Sequence, residues 1–373
     1  MVHTLAQPEV ERKQPAASEV IIPLELAGKA YKQKVGTVNG VLLDFNKDLP
    51  PSFPVTKENV MQFCVFVDRT GKNTDVEMFA IDKNFRSLFT PIKQWSDEEG
   101  TVWRYLNIKG VGLSEFFNWL ADGKSIKQGF IGGVTLGLSE LGEAAADRDG
   151  TKLFEKLGVL TNKYVGDIGL KEIIMGDGKK VSIDELKIKT PILHLRAFSE
   201  IVRVENSTKE DVERVANLHG MTKEEYMNWW LKREANNFAR MHRAGYMHGS
   251  ASMGNLTLDG RIVDNDTYRK FGKGPREELS DLTYQIGAAS SVGRLSDLTD
   301  TNFLGNIATF LRVYFDERGN IEREELVGIY KYYQKTLDSE DKNTSEFLKP
   351  LRTTVLNEIE AAFQKKFSEK LAV

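Results

Sequence analysis

Along this chain the period of the apolar residues changes from two to between three and four, and that change constrains the fold more than any other feature. The segments "MQFCVFVDRTG", "VEMFAIDKN" and "TVWRYLNIKG" are short, rich in β-branched and aromatic residues, and separated by polar turns, so they read as strands. "KYVGDIGLKEIIM" and "KKVSIDELKI" add further strands around the turn "GDGK". A glycine-rich passage over 123–142 and a helix closing at Leu157 interrupt them. Beyond Thr190 the pattern is helical. Thr222 and Glu225 form a capping box ahead of "YMNWWLKREANNFARMH", and Gly245 is a C-terminal stop. Phe303, Ile307, Phe310, Leu311 and Tyr314 fall on one helical face, as do Phe347, Leu351, Val355, Ile359, Phe363 and Phe367 on another. Pro50, Pro51 and Pro54 close what reads as an N-terminal extension. The expected fold is α+β and two-lobed: an extension over 1–54, a β-rich N-lobe over 55–185 and a helical C-lobe over 186–373, with a cleft at the junction.

A length of 373 residues suits two lobes better than one small core. The formal charge of −3 carries no polybasic bias, so a nucleic-acid partner is not expected. The single cysteine, Cys64, fits a reducing compartment, and no run of about 18 apolar residues suggests a membrane span. The expectation is a soluble, cytoplasmic chain with neither nucleic acid nor membrane as partner.

The segment "RMHRAGYMHGSASMGNLTLDGRIVDND" from Arg240 to Asp266 carries the chemistry. "LTLDGRIVD" reads as a hairpin turning at Asp259-Gly260, which brings Asn255 beside Asp264. An amide oxygen and a carboxylate there suit Mg²⁺, a hard cation that completes its shell with water and phosphate. An ordinary hairpin with polar turn residues would look the same. Elsewhere, Lys109 ends a strand before Gly110 and Gly112, and Arg196 and Arg203 stand seven apart. Such cations are what a triphosphate requires, guanidinium groups gripping two oxygens and lysine acting as a point charge.

Together these segments resemble the selenoprotein O family, kinase-like proteins that transfer AMP from ATP to protein hydroxyls. The likeness spans about residues 101–268. It rests on Lys109 before Gly-x-Gly, on Asp122-Gly123 in "ADGKS", and on Arg196 and Arg203 around Ser199. It also rests on Asn255 and Asp264, nine apart after His248-Gly249, and on the run "LFEKLGVLTN". The resemblance implies a protein-kinase-like fold that binds ATP and Mg²⁺. Lys109, Asp122, Gly123, Arg196 and Arg203 would contact the nucleotide. Counting back from the leucine-glycine run gives Asp147 as the acidic partner of Lys109, with Glu143 as the alternative. Asn255 and Asp264 would hold the metal.

The sequence departs from the family where a catalytic carboxylate is expected. Gly254 stands directly before Asn255, and Ser250 stands two residues after His248. Asp266 is then the remaining candidate base. The expected activity is AMP transfer to a protein or small-molecule acceptor that needs no base; the alternative is an inactive nucleotide-binding module. His248 reads as a brace of the loop. His194, His219 and His242 make no zinc pattern with Cys64, and "DERGNIEREE" reads as a turn between helices.

Overall fold

The computed structural model describes residues 30–81, 87–112, 130–131, 134–135, 137–271, 276–296, 300–339, 348–368 and 371. The first half is strand-rich: β1 (Ala30–Thr37), β2 (Gly40–Phe45), β3 (Val65–Val67), β4 (Thr74–Ile81), β5 (Ser87–Ser96) and β6 (Val102–Lys109). The short pair β7 (Phe130–Ile131) and β8 (Val134–Thr135) precedes helix α1 (Leu141–Lys156). Then come β9 (Lys163–Leu170), the hairpin β10 (Glu172–Ile174) and β11 (Lys180–Ser182), the one-turn α2 (Ile183–Leu186) and β12 (Ile192–Phe198). Eight strands form one sheet in the order β2-β9-β12-β6-β5-β4-β1-β3, its neighbours antiparallel.

One face of the sheet is apolar throughout. Leu106 and Ile108 of β6, Leu193 and Leu195 of β12, and Ile168 of β9 join a core with Val35, Phe53, Val60 and Trp103. The opposite face is divided. At one end Phe79, Phe89, Tyr105 and Phe198 pack into the helical half. At the other end the inward positions are polar, and there the candidate site is built. The sheet also corrects two boundaries. Residues 30–45, expected within an extension, supply β1 and β2. They belong because β1 pairs along its length with β4 and β2 with β9. Likewise β12 lies inside the sheet, so the strand-rich lobe runs to Phe198, past the boundary expected at 185.

The second half is helical: α3 (Lys209–Leu218), α4 (Lys223–Arg243), α5 (Arg276–Leu295), α6 (Asp300–Arg318), α7 (Arg323–Ser339) and α8 (Leu348–Phe367). Two further short strands, β13 (Tyr246–Met247) and β14 (Arg269–Lys270), pair after α4. Thr222 and Glu225 close the capping box at the start of α4, and Gly245 takes φ +80° just past its end. Helix α4 is the centre of this lobe, burying Tyr226, Trp230, Leu231, Phe238 and Met241. "DERGNIEREE" is the turn between α6 and α7. The expected α+β architecture, strand-rich first and helical second, is what forms. Among the described residues no helix is long and apolar enough to cross a membrane.

Candidate active site

The site begins with strand register. Side chains alternate across a sheet, so residues two apart on one strand share a face with their cross-strand partners. In β6 and β12, Lys109 pairs with His194 and Asn107 with Arg196; in β12 and β9, His194 pairs with Asp167. Lys109, His194 and Asp167 therefore form one row across three strands, and Asn107 with Arg196 forms the next. Gly110 follows at φ +94°, where an added Cβ would lie 2.2 Å from the Ile192 carbonyl oxygen. The chain must turn out of the sheet directly after Lys109, and only glycine fits there.

Helix α1 covers this polar face. At Gly150 the helix lies against residues 265–268, where a Cβ would meet the Asn265 carbonyl oxygen at 2.4 Å. The helix brings two acids, Glu143 and Asp147, one turn apart. Lys109 Nζ lies 3.2 Å from Glu143 Oε1, 3.5 Å from Asp266 Oδ2 and 3.7 Å from Asp264 Oδ1. The lysine's partner on the helix is thus Glu143, which corrects the expectation of Asp147. Asp147 is taken by other groups: Arg196 Nη1 at 2.9 Å and His194 Nε2 at 3.3 Å. It also accepts the Asn265 backbone N–H at 2.9 Å. Burial opposes the Asp147 charge, but Arg196 and His194 outweigh it and hold the carboxyl well below its usual range. Behind it His194 Nδ1 meets Asp167 Oδ1 at 2.6 Å, and the Tyr164 hydroxyl, with one proton to donate, lies 3.0 Å from an oxygen of both Asp167 and Asp44. Burial would lower the His194 pKa, yet its two carboxylate partners raise it.

The hairpin expected at Asp259-Gly260 forms. Leu256 bridges Ile262, Thr257 N–H donates to the Arg261 carbonyl at 3.0 Å, and Val263 N–H donates to that of Asn255 at 2.9 Å. Asn255 and Asp264 thereby stand on adjacent ends of the hairpin. Asp264 adopts the left-handed region at φ 57°, a strained conformation for a residue with a Cβ. Its two oxygens are held from opposite sides, Oδ1 by Arg196 Nη1 at 2.6 Å and Oδ2 by Arg203 Nη1 at 3.1 Å. Burial would raise this carboxyl, but Arg203, Arg196 and Lys109 hold it well below the usual carboxylate range. Arg203 Nη1 also donates to the Gly254 carbonyl and, at 3.4 Å, to Asn255 Oδ1. His248 is the brace expected: it is buried, with Nε2 3.2 Å from the Val263 carbonyl oxygen. Asp281 of α5 fixes the loop from behind, accepting the backbone N–H groups of His248 (2.8 Å) and Gly249 (3.3 Å).

Six of the expected residues, Lys109, Asp147, Arg196, Arg203, Asn255 and Asp264, therefore meet in one network, with Asp266 at its lysine end. Asp122 and Gly123 lie outside the described residues. Two placements differ from expectation. Arg196 is 1% exposed, with its guanidinium bonded to Asn107, Asp147 and Asp264, so it is a strut that holds Asp264 rather than an open phosphate clamp. Asp266 is ion-paired to Lys109, and burial, with the charges of Asp264, Asp147 and Glu143, raises its pKa. Asn107, Asp167, His194 and Asp281 were not singled out as members, and Glu143 only as the alternative to Asp147. The donor types of Asn255 and Asp264 fit a hard divalent cation. Among the described residues there is no cluster of three or more His, Cys, Asp or Glu suited to a metal, so two protein oxygens are what the hairpin offers. The Arg203 guanidinium touches both of them.

No family model matches the chain, and no curated protein matches it. Among solved structures, the chain is similar to WaaP in its complex with acyl carrier protein, at 13% identity over 71% of this chain and 88% of that one (TM-score 0.34). It is also similar to a Toxoplasma gondii specific rhoptry antigen kinase domain, at 11% identity over 78% and 83% (TM-score 0.27). A third is the ROP18 kinase domain in complex with AMP-PNP and sucrose, at 13% identity over 80% and 86% (TM-score 0.26). Likenesses this distant concern the gross course of the chain, and no activity is taken from them.

Proposed function

We propose that this protein is an ATP-dependent transferase of kinase-like layout that moves AMP onto an acceptor. One observation carries the nucleotide reading: Lys109, Arg196 and Arg203 converge on the single carboxylate of Asp264 at the end of a braced hairpin. Lys109 and Arg196 also meet Glu143, Asp266 and Asp147, so the phosphates of an entering nucleotide would take over pairs that these cations now make with carboxylates. Arg203 Nε, buried and without a hydrogen-bond partner, is a further unused donor beside them. AMP, rather than a phosphoryl group, rests on the resemblance in residue spacing.

In this reading Glu143 orients Lys109 toward the phosphates, and Arg196 fixes Asp264 in its strained conformation. Arg203 is the cation that turns from the hairpin to the nucleotide. Asn255 and Asp264 would hold Mg²⁺, which supplies charge neutralisation for the phosphates when bound. A second reading, an inactive nucleotide-binding module, is favoured by Ser250 and Gly254 at the two places a base is expected.

Two results test the nucleotide reading. Millimolar Mg²⁺-ATP is expected to raise the melting temperature, because a ligand bound only by the native state adds RT ln(1 + [L]/Kd) to stability. Lys109→Met should lose most of that shift, since a charge-assisted contact contributes about 1.5–3 kcal/mol. A wild type with no shift, and none by calorimetry, refutes the reading. Comparing label transfer from ATP marked on the α-phosphate with ATP marked on the γ-phosphate then identifies the group moved.

A further inference from the structure

Beside Gly254, where the resemblance in residue spacing expects a carboxylate, stands one from another segment. Residues 202–204 run antiparallel to the first arm of the hairpin. Arg203 bridges Thr257, Val204 N–H donates to the Leu256 carbonyl at 2.9 Å, and Leu258 N–H donates to that of Val202 at 3.1 Å. That register sets Glu205 opposite Asn255 and beside Gly254. A Cβ built on Gly254 would lie 2.6 Å from Glu205 Oε2 and 3.8 Å from its Cδ. An aspartate carboxylate oxygen sits at about that distance from its own Cβ by ordinary bond lengths and angles. One Glu205 oxygen thus lies as near to position 254 as an aspartate's own carboxylate oxygen would, while its carboxyl carbon stands farther off.

The contact does not itself require glycine at 254. Its backbone is not in the left-handed region, so conformation does not demand glycine there. Its carbonyl accepts from Arg203, and the nearest atom to an added side chain is Glu205 Oε2. That atom is the far end of an exposed side chain, so a larger residue at 254 would move the glutamate aside, whereas glycine leaves it in place. Glu205 is exposed, and among the described residues no cation or hydrogen-bond donor engages its carboxylate. It lies two residues past Arg203, so an acid and a phosphate-binding cation come from one turn of chain. Asp266, by contrast, is held by Lys109.

We propose that Glu205 is the general base of this site and that the acceptor is accordingly a hydroxyl group. The proposal rests on the nucleotide reading above and reverses the expectation of an acceptor needing no base. In the step, Glu205 takes the proton of the acceptor O–H as its oxygen bonds to the α-phosphorus of ATP. The bond from that phosphorus to the oxygen bridging to the β-phosphate breaks, pyrophosphate leaves with the electron pair, and Glu205 later releases the proton to water. Positioned general bases contribute about 10²–10⁴ in rate.

The test measures AMP transfer from α-labelled ATP to a pool of serine-, threonine- and tyrosine-containing peptides, with the ATP-induced melting shift read on the same samples. Glu205→Gln should lower transfer by about 10²–10⁴-fold while keeping the ATP shift, and its residual rate should lose the acid limb of the pH profile. Glu205→Ala combined with Gly254→Asp should recover part of the transfer, because the aspartate then fills the vacated space; Glu205→Ala alone should not. A Glu205→Gln variant that transfers within a few-fold of wild type overturns the base and leaves the nucleotide reading standing. A wild type that binds ATP but labels none of the peptides overturns both the base and the hydroxyl acceptor. An absent ATP shift in wild type removes the nucleotide reading and the base with it.

Discussion

Asp147→Asn is expected to lower the stability of the protein by about 3–5 kcal/mol, the usual cost of removing one partner from a buried charge network. The side chain is enclosed by β12 and α1, and Arg196 beside it is equally buried. Asparagine keeps the shape, and its carbonyl can still accept from Asn265 N–H. It carries no negative charge to face Arg196 and His194. The pH dependence distinguishes this loss from a packing defect. The folded-state pKa of Asp147 is depressed, so its contribution is fully present above the ordinary carboxylate range near pH 3.8 and disappears as pH falls through the folded value. His194 acts in the opposite sense. Its pKa is raised, so its contribution is present below about 6.5 and lost as pH rises through the folded value. Urea unfolding at pH 7 should show the full deficit in the variant, and the gap should narrow in strong acid. A deficit under about 1 kcal/mol would mean that Asp147 is not part of the network that sets Asp264.

The parts of this site that sequence could show are those fixed locally. Asn255 and Asp264 are joined by a hairpin of ten residues whose turn is written in Asp259-Gly260, so their adjacency follows from spacing alone. The choice between Glu143 and Asp147 does not. The two stand one helical turn apart on the same face of α1, and which meets the lysine depends on how the helix lies across the sheet. The row Lys109, His194 and Asp167 did leave a trace in the alternation of "LNIKG" and "LHLRAF", where every second residue is polar. On an ordinary strand that pattern marks a solvent face. Here the helix covering the face lies between the strands in sequence, and nothing local says that it returns. Glu205 is less legible still, because its place beside Gly254 follows from pairing between segments about fifty residues apart. The first two strands were hidden for a simpler reason: three prolines after them look like the end of a tail, whereas they close a loop back into the sheet.

Glu234→Gln should have the opposite effect to Asp147→Asn, stabilising the protein at alkaline pH. Glu234 sits on α4 at the centre of the helical lobe, 0% exposed, and neither carboxylate oxygen has a hydrogen-bond partner. Burial pushes its pKa up to about 8; the guanidinium of Arg233 pulls the other way, and the Asp259 charge adds to the rise. In the unfolded chain the same carboxyl ionises near its reference value of 4.5. Below that pH both states carry the proton and the group costs nothing in charge. Between about 4.5 and 8 the unfolded chain releases its proton while the folded chain keeps it, so folding must bind a proton. Stability then falls by about 1.4 kcal/mol per pH unit. Across the interval the loss approaches 5 kcal/mol as an upper bound, and above pH 8 it levels off. Glutamine has the same shape and no charge, so it should leave stability at pH 5 within about 1 kcal/mol and remove the decline. The measurement is the urea midpoint of both proteins at pH 5, 7 and 9. Curves that separate as pH rises, with the variant above the wild type, are the expected result. Parallel curves would show that the carboxylate of Glu234 reaches a partner or water in solution and is not held neutral by burial.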